Sequence, residues 1–367
     1  MANYDMDRLL TPVWEGSTVY RESFMPVAPA GQEVRVPLLY KAETIVEVMD
    51  AQITTRYEEG KDYRLEDGVL VIPTDSAIKG MTMEEYYPTE YIEGNIFWKR
   101  GGGYQYFAEG NFFHQKQFVV TYTHGGSWGG PLPEASLAKL PRLKAKLEAG
   151  EPVKVLFYGD SITTGANSSG MTGIEPFQPD WCQMVMEGLK KRWPEVSFES
   201  VNTAVGGTLS QWGLEEAPTR AAAHKPDLAI LAFGMNDGSL SVSAEAYQAN
   251  MKGIMDVISA EKPDAEFILI ATTIPNEETL LMRSRPRAEG EDPTCEDHRS
   301  FNNGRHDEFL PMLVALKGEH VALTDMTTMH HYLLSIKPFR DMTGNNVNHP
   351  NDFLARMYAQ TVLGTLE

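Results

Sequence analysis

Cysteine is scarce in this chain. Among its 367 residues there are two cysteines, Cys182 and Cys295, and they stand far apart. A disulfide framework needs several cysteine pairs, and a structural zinc site needs closely spaced ligand pairs. The sequence contains neither pattern, so we expect two reduced thiols, no bound metal and no cofactor.

Positive charge and long apolar runs are also lacking. Lys and Arg number 32 against 51 Asp and Glu, which gives a net charge of −19. Such a surface repels nucleic-acid phosphates and anionic lipid. No apolar run approaches the roughly 18 residues of a membrane span. The start, MANYDMDRLLTPVWEG, lacks the basic and apolar regions of a secretory signal. We therefore predict a cytoplasmic protein that binds neither nucleic acid nor membrane, and the sequence leaves its oligomeric state open.

The length favours about two domains, and two halves with different periodicity are visible. The first half alternates apolar and polar residues in short segments and has the hairpin dipeptide Asp67-Gly68. This pattern predicts an all-β sandwich, of jelly-roll type, over residues 1–130. The predicted strands are Ser17–Phe24, Glu33–Leu39, Ile53–Tyr57, Gly68–Pro73 and Gln117–Thr123.

Residues 131–150 are predicted to link the halves. The run GGSWGGPLP (125–133) sustains neither helical nor strand periodicity. A connecting helix is expected over 134–149, broken or kinked at Pro141.

Residues 151–367 alternate short apolar runs with amphipathic segments. The runs VKVLFYG, FESVN, DLAILAFG and EFILIAT are separated by predicted helices near 180–192, 214–224 and 244–261. Continuous apolar runs are typical of parallel strands buried on both faces. We expect a doubly wound three-layer α/β domain, whose functional residues lie at the carboxyl ends of its strands.

Four polar motifs occur at predicted strand ends or near the C-terminus. They are YGDSIT with Ser161, NTAVGG with Gly207, GMND with Asn236 and NVNHP with His349. In this order and context the chain resembles the SGNH (GDSL-type) hydrolase superfamily, and in particular its two-domain carbohydrate esterases with an N-terminal β-sandwich. The resemblance covers residues 150 to 367 and implies a flavodoxin-like SGNH domain.

The resemblance also implies the role of each motif residue. Ser161 is expected to be the nucleophile and His349 the base. The backbone N–H groups of Ser161 and Gly207 and the side-chain amide of Asn236 are expected to form an oxyanion hole. This division of roles suits acyl transfer, in which a serine loses its proton to imidazole and the intermediate carries an oxyanion.

One position departs from the superfamily's pattern. Three residues before His349, where the superfamily usually has Asp, this chain has Asn346. An asparagine oxygen can accept the ring N–H and fix the tautomer, but it brings no negative charge. Asn346 is therefore one candidate that orients the base, and a Ser-His pair oriented by a backbone carbonyl or another partner is the alternative. Asp341 and Asp352 are nearby substitutes, for which a surface role is the simpler expectation.

Three further features have a structural and a functional interpretation. Residues 86 to 113 contain ten aromatic side chains, which either pack in a core or interface or contact sugar rings. We expect part of this segment to face Ser161. The acidic segment 276–305 is either a solvated loop or a substrate loop. The adjacent pair His330 and His331 is expected to pack or to lie on the surface, because adjacent side chains diverge.

These observations and the resemblance predict a serine esterase that removes a short acyl group, most simply acetyl, from carbohydrate by a Ser-His mechanism with an oxyanion hole. Its partner is expected to be a small-molecule or oligosaccharide ester. Two alternatives remain at this point. One is a carbohydrate-binding protein whose hydrolase domain is catalytically impaired, and the other is a lipid or thioester acyl hydrolase.

Overall fold

The computed structural model describes residues 5–280 and 305–367 of the chain. Its N-terminal half consists of short strands and two four-residue helices, α1 (Met6–Leu9) and α2 (Met83–Tyr86). The strands are β1 (Thr18–Phe24), β2 (Val27–Ala28), β3 (Val34–Val36), β4 (Thr44–Asp50), β5 (Arg64–Glu66), β6 (Val69–Ile72), β7 (Met81–Thr82), β8 (Ile96–Lys99), β9 (Tyr104–Tyr106) and β10 (Phe118–Thr123).

These strands form separate small sheets. Strands β1, β10 and β4 make one antiparallel sheet, β3, β6 and β5 make another, and β2 pairs with β7 in parallel. Asp67 and Gly68 both have positive φ and connect β5 to β6, which confirms the predicted hairpin turn. The description of this half as a jelly-roll sandwich stays a prediction.

One predicted strand is wrong. Residues 53–57 do not form a strand, and the alternating segment before them, β4, does. The Asp50 carboxylate accepts the backbone N–H groups of Thr54 and Thr55, and Ile53 has a φ of 59°. A carboxylate that binds nearby N–H groups favours a turn over a strand. The β-branched residues of 53–57 therefore lie in a turn that follows β4.

The connecting segment contains a short 3₁₀ turn, Leu137–Lys139, and the helix α3 (Pro141–Ala149). The sequence predicted a helix that is broken or kinked at Pro141. In the structure Pro141 is instead the first residue of the helix. Proline suits the first helical position, because its missing N–H would have no partner there. The buried carboxylate of Glu266 accepts the next two N–H groups, those of Arg142 and Leu143, at 3.1 and 2.8 Å.

The C-terminal half contains a parallel sheet of five strands. Its order along the sheet is β12 (Phe198–Asn202), β11 (Val153–Gly159), β13 (Leu228–Ala232), β14 (Glu266–Ala271) and β16 (Val321–Asp325). Numbered within this sheet, the order is 2-1-3-4-5, which is the flavodoxin-like arrangement. The α/β fold with a parallel central sheet is confirmed.

Helices flank this sheet on both faces. They are α4 (Ser169–Thr172), α5 (Trp181–Arg192), α6 (Ser210–Arg220), α7 (Met235–Ser239), α8 (Ala244–Glu261), α9 (His306–Val314), α10 (Met326–Leu334) and α11 (Asp352–Thr365). Along α8 the buried residues fall on one stripe that packs into the core, as its sequence periodicity predicts. Within the described part of the chain, no helix is both long and apolar enough to cross a bilayer.

The two halves are packed against each other. Strand β15 (Thr279–Leu280), from the C-terminal half, pairs with β8 and so extends the β8–β9 hairpin of the N-terminal half. One continuous hydrophobic cluster includes Phe24 and Tyr122 from the first half and Trp181 from the second. The ammonium of Lys337 lies 2.6 Å from the Glu22 carboxylate, and both side chains are fully buried. Separating the halves would expose this core and break a buried ion pair.

Candidate active site

Ser161 lies in the turn that follows β11, at the carboxyl end of the central sheet. The preceding Asp160 is buried, and its carboxylate accepts the Ile162 N–H at 3.0 Å. Burial raises the pKa of the Asp160 carboxyl to about 7. A side chain could not replace the hydrogen of Gly159, because a Cβ there would lie 2.3 Å from the Ala232 carbonyl oxygen. The turn that presents Ser161 is therefore fixed by close backbone packing and by one buried carboxyl.

His349 lies in a tight loop that precedes α11. The side-chain oxygen of Asn345 accepts the N–H groups of Val347, Asn348 and His349 at 3.0 to 3.1 Å. The hydroxyl of Thr343 donates to the carbonyl oxygen of His349 at 3.0 Å. Local side-chain to backbone bonds of this kind hold a loop without regular structure. The position of the imidazole is thus set by its own loop.

The structure brings Ser161 and His349 together across 188 positions of sequence, with Nε2 2.9 Å from the serine Oγ. On the other side of the ring, Nδ1 lies 2.5 Å from the side-chain oxygen of Asn167. The Asn167 amide nitrogen donates to the carbonyl oxygens of Gly110 and Gly344 at 2.9 and 3.4 Å. These two bonds fix the amide orientation, so its oxygen faces the ring and accepts the Nδ1 hydrogen. Nε2 then carries the lone pair that accepts the Ser161 hydroxyl.

Asn346 does not orient the ring, contrary to the expectation from sequence. Its side-chain oxygen accepts the Tyr86 hydroxyl at 2.7 Å, and its amide nitrogen donates to the Tyr106 carbonyl at 2.9 Å. The amide of Asn276 donates to its backbone oxygen at 3.0 Å. Asn346 has a φ of 68° and is fully buried. This left-handed conformation turns the side chain toward the N-terminal half and away from His349.

The two substitute acids lie elsewhere as well. Asp341 is buried, not on the surface; its carboxylate accepts the Met25 N–H and lies 3.5 Å from the ammonium of Lys337. Burial raises the pKa of the Asp341 carboxyl. The carboxylate of Asp352, at the start of α11, accepts the Ser169 N–H at 2.8 Å. Both acids support loops around the site.

Gly207 and Asn236 lie on two neighbouring loops near the serine. A Cβ at Gly206 would lie 3.5 Å from the Cβ of Ser161, which places this glycine loop against the turn that contains Ser161. Gly207 has a φ of 77° and is exposed. The side-chain amide of Asn236 donates to the Thr208 carbonyl at 3.0 Å, so it is tied to the same loop. An amide has two N–H donors, and this bond to Thr208 uses one of them within the described residues.

An acidic residue of the N-terminal half, Glu109, lies beside His349, and the sequence analysis did not identify it. A carboxylate oxygen of Glu109 lies 3.4 Å from Nδ1 of His349, and the other lies 3.3 Å from the Asn345 amide nitrogen. Burial raises the Glu109 pKa, but the hydrogen bond and charge of His349 outweigh it, and the pKa is lowered overall. Asn167 was also missed, although it lies six residues after Ser161. It has a positive φ of 64°, a conformation that Asn tolerates, but this angle cannot be seen in the sequence.

The other residues considered from the sequence are His330, His331 and Cys182. His330 is buried, and its Nδ1 accepts the Ile274 N–H, whereas the exposed His331 contacts Asp307 at 2.6 Å. In the described ranges no cluster of three or more His, Cys, Asp or Glu side chains could hold a metal ion. Cys182 is buried.

Cys295 and most of the acidic segment 276–305 lie outside the described residues. The question of a substrate loop there stays a prediction.

Comparison with known proteins decides the family. The model of the GDSL-like lipase/acylhydrolase family matches residues 157–353, more than half of the chain. The chain belongs to this family. The matched region of this GDSL-like acylhydrolase includes both Ser161 and His349, and it leaves out the half that contributes Glu109.

Individual relatives are more distant. An arylesterase from Vibrio mimicus is 25% identical over 116 residues, which cover 32% of this chain and 52% of that protein. This acylhydrolase thus spans about half the length of that relative.

Among solved structures, a two-domain esterase (CEX) active on acetylated mannans is 21% identical with a TM-score of 0.46, covering 64% of this chain and 53% of its own. An acetylxylan esterase from Geobacillus stearothermophilus (Axe2, a catalytic mutant) is 15% identical with a TM-score of 0.43, covering 58% of this chain and 94% of its own.

Proposed function

We propose that this acylhydrolase is a serine esterase that removes short acyl groups, acetyl above all, from carbohydrate esters. Ser161 is the nucleophile and His349 the base. The observation that carries the proposal is the 2.9 Å contact of the serine Oγ with Nε2, on a ring whose other nitrogen faces the Asn167 oxygen. Acyl transfer by a serine uses a base that is hydrogen-bonded to the nucleophile and oriented by a third group, which is the arrangement of these three residues.

The proposed reaction begins when the Ser161 oxygen attacks the ester carbonyl while its proton passes to Nε2. The tetrahedral intermediate collapses as Nε2 returns that proton to the leaving sugar hydroxyl, and an acyl-serine remains. Water then repeats the sequence and releases the acid. Throughout, the Nδ1 hydrogen stays on His349 and points at Asn167, which keeps Nε2 in the correct protonation state.

The oxyanion of the intermediate is assigned to the N–H groups of Ser161 and Gly207 and to the amide of Asn236. The Asn236 amide is supported by its geometry, because one N–H is held by Thr208 and the second is available. A preorganised donor of this kind contributes about 3 kcal/mol to transition-state stabilisation. All three donors are neutral, so none requires a counter-ion inside the site.

Carbohydrate as the alcohol part of the ester is supported by the aromatic segment. Tyr106 and Phe112 are half-buried, their ring centroids are 4.8 Å apart, and they lie within three residues of Glu109, which contacts His349. Aromatic rings that keep part of their surface exposed can pack on the C–H groups of sugar rings. Acetyl as the acyl part follows from the resemblance to carbohydrate esterases.

The test is an acyl-length series of nitrophenyl esters together with a panel of acetylated sugars. Wild type is expected to prefer acetyl, and Ser161→Ala is expected to retain less than about 1% of the rate. Ser200→Ala, an exposed serine on β12, is the matched control and is expected to behave as wild type.

Each alternative predicts a different result. Rates that rise with acyl length would favour a lipid or thioester hydrolase. Absence of turnover in wild type, with sugar binding intact, would favour a carbohydrate-binding protein and overturn the proposal.

A further inference from the structure

The catalytic imidazole proposed above faces an acid from the other half of the molecule. Glu109 follows β9 in the aromatic segment, 240 positions before His349. Its Oε2 lies 3.4 Å from Nδ1, and its side chain is about half exposed, at 49%. The ring itself is 11% exposed. Within the described residues, no other carboxylate forms an ion pair with the ring.

The position of Glu109 is held from both sides. The amide of Asn345, the residue that organises the His349 loop, lies 3.3 Å from the second carboxylate oxygen. The carbonyl of the next residue, Gly110, accepts the amide of Asn167. The loop at 109–110 thus contacts both the base loop and the residue that accepts the ring hydrogen.

We infer that Glu109 is the positioning residue that supplies the negative charge for His349, an inference that rests on the proposed function. Asn167 takes the single Nδ1 hydrogen at the shorter distance, and Glu109 acts through its charge. When Ser161 attacks, the ring gains a proton at Nε2 and becomes a cation. A carboxylate at 3.4 Å stabilises this cation and therefore the transition state. No proton moves to Glu109.

This arrangement gives the N-terminal half a role in the reaction. The position that holds Asp in the superfamily's usual pattern is the neutral Asn346 here, which bonds to Tyr86 and Tyr106. Glu109, from a different part of the chain, supplies the negative charge that an Asp at position 346 would bring. The buried Asp160 precedes Ser161 in the chain and is a second titratable group close to the reacting pair; it is unchanged in the variants below.

The experiment compares Glu109→Gln and Glu109→Asp with Glu93→Gln in the full-length protein on a small acetyl ester. Glu93 is an exposed acid of the same segment, so the control removes the same formal charge. Glu109→Gln is expected to lower kcat about 5- to 30-fold with little change in KM, because the charge acts on the transition state. Glu109→Asp should recover part of the loss. Glu93→Gln should match wild type.

Two further measurements separate a charge effect from a structural one. Removing the carboxylate should move the acid limb of the kcat profile to lower pH by about 0.5 to 1 unit, because the ring is then less easily protonated. Raising the salt concentration to 1 M should move the wild-type limb in the same direction and leave the Glu109→Gln limb in place, since salt screens half-exposed charges.

The inference is overturned if Glu109→Gln keeps the wild-type kcat and pH profile, or if it loses activity only together with its melting temperature. The proposed function fails separately, when wild type itself does not hydrolyse esters.

Discussion

The orientation of His349 can be tested with a matched pair of substitutions. Asn167 and Asn346 both have positive φ, 64° and 68°, and both are buried. Glycine adopts this backbone conformation without strain, so Asn167→Gly and Asn346→Gly each remove a side chain while keeping the local backbone. The sequence assigned the orienting role to Asn346, and the structure places Asn167 at the ring.

The two variants should fail in different ways. Asn167→Gly removes the acceptor 2.5 Å from Nδ1. In the transition state that bond joins a charged ring, and such bonds contribute about 1.5 to 3 kcal/mol. We therefore expect kcat to fall about 10- to 150-fold. Asn346→Gly instead leaves the buried Tyr86 hydroxyl and Tyr106 carbonyl without this partner, which should cost about 2 to 4 kcal/mol of folding stability.

The assay measures kcat on a small acetyl ester well below the melting temperature, and the melting temperature itself. Asn346→Gly should melt at least about 4 °C lower and keep kcat within about threefold of wild type. Asn167→Asp should not improve on wild type, because the oxygen that replaces the amide nitrogen would face the Gly110 carbonyl. A wild-type kcat in Asn167→Gly, combined with a large loss in Asn346→Gly at an unchanged melting temperature, would refute this assignment.

Three further predictions follow from the same geometry. Asn236→Ala should lower kcat about 10²- to 10³-fold with an unchanged melting temperature if its amide binds the oxyanion, and a loss below tenfold would remove it from the oxyanion hole. Burial raises the pKa of the Asp160 carboxyl from its ordinary value of 3.8 to about 7, so between these pH values the native state binds a proton that the unfolded state has lost, and stability falls as pH rises. Asp160→Asn, which keeps an oxygen for the Ile162 N–H, should therefore gain at least about 4 °C in melting temperature relative to wild type between about pH 4.5 and 7.5, and a constant difference would contradict the raised pKa. Residues 150–367 expressed alone should be poorly soluble or nearly inactive on a small ester, because the fragment lacks Glu109 and exposes the core shared with the first half; a well-folded, fully active fragment would show that the halves are independent.

The fold of the C-terminal half could be predicted because its signals are local. Each buried parallel strand is a continuous apolar run, and each helix that covers the sheet has one apolar stripe, so the periodicity alone identifies the elements. The same holds for the turn at Asp67 and Gly68. The motif of Ser161 follows a predicted strand, and the motif of His349 lies in a loop near the C-terminus. Both motifs could therefore be recognised in the sequence.

The contacts around the imidazole could not be predicted in this way. Asn346 is three residues from His349, and nearness in sequence suggested that it contacts the ring. The positive φ of Asn346 turns its side chain away from the ring. The contacts with Tyr86 and Tyr106 hold Asn346 in this conformation, and they are not visible in the sequence. Asn167 and Glu109 approach the ring from 182 and 240 positions away.

The sequence by itself therefore predicted the proposed nucleophile and base, because both lie in motifs that resemble those of the hydrolase superfamily. Only the tertiary structure placed Asn167 and Glu109 beside the imidazole. Many asparagines and glutamates could fill those roles, and their distances to Nδ1 depend on how the two halves pack together. That packing rests on long-range contacts, such as the β8–β15 pairing and the buried Lys337–Glu22 ion pair, which leave no periodic trace in the sequence.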